Sequence, residues 1–77
     1  MQKANILIIE DEALVAQDVR NILIGDGHNV LGIADNCADA KALFRDKDID
    51  MVVCDIHLKQ QPNGIETISE LLKIRKA

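Results

Sequence analysis

The sequence has little to offer a transition metal. Two cysteines, Cys37 and Cys54, and two histidines, His28 and His57, are spread through 77 residues. A zinc site needs more of these side chains at ligand spacing, and neither histidine has the neighbours of a nucleophile constellation. The cysteines read as reduced thiols of a cytoplasmic protein. Proline and glycine are also scarce, at one and four residues, while hydrophobic residues make up 48%. That balance excludes a disordered or low-complexity chain. Basic excess is missing: 9 Lys and Arg face 13 Asp and Glu, for a net charge of −4. A non-specific binder of nucleic acid or anionic membrane would carry the opposite sign. No apolar run approaches a membrane span. The run in MQKANILIIEDE is cut at once by acids, so it lacks the long apolar region of a signal peptide. The length allows a single domain, one that buries less of its surface than a larger domain does.

What is present alternates in a regular way. Ala4 to Ile9 is a continuous apolar run, as expected of a strand covered on both faces. After Glu10-Asp11-Glu12, Val15, Val19, Ile22 and Leu23 recur at helical spacing, and Gly25 and Gly27 supply a stop. Asn29 to Ala34 reads as a second strand. Cys37 to Asp46 reads as a short helix with Ala40, Leu43 and Phe44 on one side, and Asp50 to Asp55 as a third strand. Lys59 to Gly64 is a loop punctuated by Pro and Asn-Gly. Ile65 to Lys76 reads as a third helix, with Ile65, Ile68 and Leu72 inward and Lys73, Arg75 and Lys76 suited to its C-terminal end. Strands alternating with helices predict an α/β fold with parallel pairing and right-handed crossovers.

The stretch MVVCDIHL drives an apolar strand into an aspartate, Asp55. An unpaired carboxylate is costly to bury. In an open parallel sheet, however, ligands bind beyond the carboxyl ends of the strands. If the first and third strands are neighbours, Glu10, Asp11 and Asp55 converge on one rim. Acids after strands are often helix caps or solvated loop residues, and Glu12 reads that way. Three converging carboxylates repel one another, which raises at least one pKa and favours a hard divalent cation such as magnesium. A carboxylate there can also act as a nucleophile toward phosphorus.

ILIIEDE followed by a helix, then VVCDIHL, then PNGIE resembles the response-regulator receiver domain of two-component signalling across the whole chain. The resemblance implies a CheY-like (flavodoxin-like) fold, here a partial βαβαβα with three parallel strands in order 2-1-3. It implies that Glu10, Asp11 and Asp55, with the backbone carbonyl of His57, hold Mg2+. It implies that Asp55 accepts a phosphoryl group from a sensor histidine kinase or phosphotransfer protein. The first acid is Glu where the family commonly has Asp, which keeps the charge.

Receivers resemble five-stranded domains of about 120 residues. Their fourth and fifth strands carry a Ser or Thr, a Lys and often an aromatic switch residue. This sequence ends after the third helix and has no Tyr or Trp. The expectation is a truncated receiver, residues 1–77 forming one incomplete domain with impaired phosphorylation. Met51 to Cys54 would then be an open sheet edge that pairs with a second copy, as a homodimer or by exchange of elements. A self-assembling binding module that is not phosphorylated is the alternative. An aspartyl-phosphate phosphatase would want Asp-x-Asp, and Asp55-Ile56-His57 lacks the second acid, so the expectation is an acceptor and not an enzyme.

Overall fold

A computed structural model of the chain describes residues 3–59 and 62–75. The elements run β1 (Asn5–Ile9), α1 (Ala13–Gly25), β2 (Asn29–Ala34), α2 (Cys37–Asp46), β3 (Met51–Cys54) and α3 (Gly64–Ile74). The three strands form one parallel sheet in the order β2-β1-β3. This is the partial CheY-like architecture the sequence leads one to expect.

β1 is the central strand, and its apolar run has a use on both faces. Leu7 and Ile9 point to a core with Ala34, Ala40, Phe44, Ile49, Leu58 and Leu71, which α2 and α3 cover. Ile6 and Ile8 point the other way, against Ala16 of α1. A strand buried on both faces cannot alternate polar and apolar residues, which is why ANILII does not. The ladder aligns Ile9 with Ala34 on one side and with Cys54 on the other. The register shifts by one residue between Ile6 and Leu7 on the β2 side. α1 ends as expected at Gly25, and Gly27 takes the left-handed turn at φ 92° that glycine favours.

Two helix faces differ from the sequence expectation. In α3 the fully buried positions are Thr67 and Leu71, while Ile65 and Leu72 are 64% and 52% exposed and Ile68 is half-buried. The cause is the start of the helix. Asn63 and Glu66 form a reciprocal capping box, and Gly64 sits directly against the Asp55–Ile56 backbone. With Gly64 inward, helical geometry turns Thr67 and Leu71 inward as well. In α1 the buried stripe is Ala16, with Val19 and Leu23 half-buried; Val15 and Ile22 are exposed. This helix lies over β1 and β2, so its Val15–Ile22 side extends past the sheet positions it covers.

Arg75 also behaves differently. It was expected to serve the C-terminal end of its own helix, but its guanidinium reaches across to α2. It donates to the carbonyls of Phe44, Lys47 (3.1 Å) and Ile49 (3.3 Å) and lies 4.1 Å from the centroid of the Phe44 ring. Phe44 is in the last turn of α2, whose carbonyls have no partners within the helix, and Lys47 and Ile49 follow it, so one planar five-donor fork ties the helix end to the segment leading into β3. Lys73 does stay local, pairing with Glu70 at 2.7 Å. Lys76 lies outside the described residues.

Candidate functional site

The ladder continues past the strand ends and places the acids. Glu10 N–H donates to the Ala34 carbonyl at 2.9 Å, and Asp55 N–H donates to the Ile9 carbonyl at 3.0 Å. Glu10 and Asp55 are therefore held side by side at the carboxyl ends of β1 and β3. Asp11 follows at once, before α1 begins. One carboxylate oxygen from each of Glu10, Asp11 and Asp55 lies within 4.8 Å of the others. The structure thus brings together the three carboxylates that the sequence singles out.

Their environments differ. Glu10 is buried, at 8% exposure, while Asp11 and Asp55 are half-buried. Burial pushes the Glu10 carboxyl above its ordinary value, and a hydrogen bond to Asp55 and the charges of Asp55, Asp11 and Glu12 push it the same way. The Cys54 thiol beside them is pushed up to about 11 by burial and by Asp55, Glu10 and Cys37. It stays protonated at neutral pH, so the donor set is oxygen alone. Three oxygen donors with mutual repulsion fit a hard divalent cation such as Mg2+, which also keeps several waters. Asp35 and Asp39 share a cleft with Glu10 and Asp11 and add negative charge on the α2 side.

The loop after β3 is tied to the same carboxylates. His57 N–H donates to Asp55 Oδ1 at 2.9 Å, and Lys59 N–H donates to Asp11 Oδ2 at 2.7 Å. His57 is exposed, and its imidazole is not part of the acidic cluster. Glu12 stands at the N-cap of α1 without a capping hydrogen bond, 3.9 Å from the Lys59 ammonium and outside the cluster.

The sequence pattern places Asn63-Gly64 at the end of a loop, within the PNGIE motif. Gly64 is in fact the first residue of α3, and a Cβ on it would lie 2.2 Å from the Asp55 carbonyl oxygen. Its N–H donates to the Ile56 carbonyl at 3.3 Å. The signal was available: Asn63 followed three residues later by Glu66 is a capping-box pattern.

A family profile described as the response regulator receiver domain matches residues 6–77. This chain belongs to the response regulator receiver family. Among curated proteins this receiver is 39% identical over 69 residues to the phyllosphere-induced regulator PhyR of Methylorubrum extorquens, covering 88% of this chain and 26% of that protein. It is 32% identical over 69 residues to the chemotaxis protein CheY of Thermotoga maritima, covering 90% and 57%. The crystal structure of the response regulator PhyR from Brucella abortus matches with a TM-score of 0.89 and 36% identity, over 95% of this chain and 30% of that one. This receiver therefore spans roughly a quarter to just over half of the length of these relatives. Among its described residues no helix is long and apolar enough to cross a membrane.

Proposed function

We propose that this receiver is a phosphorelay acceptor, taking a phosphoryl group on Asp55 from a sensor histidine kinase or phosphotransfer protein in the cytoplasm. An Asp55 carboxylate oxygen attacks phosphorus, the bond from phosphorus to the donor's imidazole nitrogen breaks, and the electron pair leaves with that nitrogen. Glu10, Asp11, Asp55 and the backbone carbonyl of His57 would hold Mg2+. When bound, the ion supplies positive charge against the phosphoryl oxygens. The His57 N–H on Asp55 Oδ1 limits how that carboxylate can turn, and the Lys59 N–H on Asp11 Oδ2 does the same for its neighbour. The observation that carries this reading is the meeting of three carboxylates within 4.8 Å at the carboxyl ends of neighbouring parallel strands. Being a stoichiometric acceptor, the chain is a signalling component and not an enzyme, and its acidity gives it no part in nucleic-acid binding.

The test is intact mass after incubation with magnesium and acetyl phosphate, beside Asp55→Asn. A phosphate adduct in the parent and none in the variant is expected. Folded protein that gains no adduct would refute the reading.

The outer side of β3 favours a second reading. Among the described residues this strand pairs only with β1, and Met51 at its start is 48% exposed. Such an edge takes up a further strand, from a longer chain or from a second copy of this one. In the second case the chain is a self-assembling module, a homodimer or an exchanged pair. Sedimentation across a concentration series decides: a monomer at high concentration excludes it.

A further inference from the structure

The Asn63-Gly64 peptide carries a chemistry that the acceptor reading does not use. Asparagine followed by glycine is the dipeptide most open to intramolecular attack, because glycine has no side chain to keep its nitrogen from the asparagine Cγ. Here both partners are engaged. Asn63 Oδ1 accepts from Glu66 N–H at 3.0 Å, and Glu66 Oε1 accepts from Asn63 N–H at 3.3 Å. The attacking nitrogen, that of Gly64, donates its proton to the Ile56 carbonyl at 3.3 Å. Gly64 itself is buried against the Asp55–Ile56 backbone. The side chain that must rotate is held by the capping box at the start of α3, and the nitrogen that must be deprotonated is held by the Ile56 carbonyl just past the end of β3.

We propose that Asn63 is a latent deamidation site, shut while α3 is docked and opened when its first turn leaves the Asp55–Ile56 backbone. In the open state base removes the Gly64 N–H proton, and that nitrogen bonds to Asn63 Cγ. The Cγ–Nδ2 bond breaks, ammonia leaves, and a succinimide remains. Water then adds to one of its two carbonyls, giving aspartate or isoaspartate at this position.

The two products have opposite consequences. Aspartate is as good an N-cap as asparagine and adds a charge that suits the helix N-terminus. Isoaspartate inserts an extra methylene into the main chain between the cap and Gly64. The glycine then no longer reaches its seat on Asp55–Ile56, so α3 loses its anchor beside the acidic cluster.

The experiment follows deamidation of the peptide containing Asn63 by peptide mapping and isoaspartate-specific methylation. The intact chain in mildly alkaline buffer is compared with the same chain in urea. Deamidation in native buffer is expected to be at least ~10-fold slower than in urea, since exchange through local opening scales with the open population. Glu66→Ala, which removes half of the capping box, is expected to deamidate several-fold faster than the parent in native buffer and equally fast in urea. Asn63→Ser, which keeps a capping oxygen, is expected to give no product at this position. The isoaspartate form, separated by ion exchange, is expected to unfold at lower urea than the parent, and the aspartate form not to. Native and unfolded rates within about twofold of each other would show that docking of α3 does not control the site, as the opening argument requires. A Glu66→Ala rate equal to the parent in native buffer would overturn the role of the capping box.

Discussion

Replacing Gly64 by alanine tests the contact that joins α3 to the end of β3. A Cβ there would lie 2.2 Å from the Asp55 carbonyl oxygen, 2.4 Å from Ile56 Cα and 2.8 Å from the Asp55 carbonyl carbon. Ordinary carbon contacts begin near 3.5 Å, so the overlap is about 1 Å. All three atoms are backbone, so no side chain can swing away. Overpacking of this kind costs about 1–3 kcal/mol and sometimes more, whereas helix propensity returns at most about 1 kcal/mol to alanine. A net loss of about 2 kcal/mol is expected, a large share of what so short a chain can have. Gly25→Ala is the internal control. Nothing lies within 4 Å of its would-be Cβ, its φ is not positive, and it ends a helix. It is expected to gain about 0.5 kcal/mol. Urea unfolding followed by far-ultraviolet circular dichroism is the assay, since the chain has no Trp or Tyr to report by fluorescence. With a slope near 1 kcal/mol per molar urea, Gly64→Ala should lower the midpoint by about 2 M. A Gly64→Ala midpoint equal to or above that of Gly25→Ala would refute the argument that the glycine is there for close approach.

Other outcomes follow from the same contacts. Arg75→Ala removes the guanidinium donors from the Phe44 and Ile49 carbonyls, and from the Lys47 carbonyl, which keeps only the Ile49 N–H; it should cost about 2 kcal/mol in the same urea assay, while Arg75→Lys should recover less than half of it. Glu10 is expected to make the metal-free chain less stable as pH rises. Its folded pKa stands above the ordinary 4.5, so between those two values the native state holds the extra proton, and stability falls as pH climbs through that window. Glu10→Gln should remove this fall, which urea midpoints across a pH series would show. Mg2+ at a hundredfold excess over its dissociation constant should stabilise the chain by about 2.7 kcal/mol. A chelator should reverse that gain and Asp11→Asn should abolish most of it, both read as shifts in thermal midpoint.

Local pattern was enough for much of this fold. Asn29–Ala34 and Cys37–Asp46 could be read to the residue, because each is a short apolar or amphipathic run bounded by turn-formers. The third strand was placed one residue too long at each end, as strand ends carry little signal of their own. Helix rotation was not legible. Ile65 and Leu72 looked inward on hydrophobicity alone, yet Thr67 and Leu71 are inside because the docking of Gly64 decides which way α3 faces. Arg75 was misplaced for a similar reason: its partners are carbonyls 26 to 31 residues away, at the end of another helix.

The sequence by itself determined the alternation of strand and helix and the presence of acids where two apolar strands stop. Those are properties of neighbouring residues, fixed by periodicity and by the cost of burying charge. Periodicity alone does not place β1 between β2 and β3; that order is expected from the family resemblance, and the tertiary structure shows it. Chain order does not say which strands are neighbours, and without that adjacency Glu10 and Asp55 would end separate strands far apart. The hydrogen bond from Asp55 to Ile9 continues the β1–β3 ladder and makes the three acids one cluster, because it fixes the register of strands that are distant in sequence.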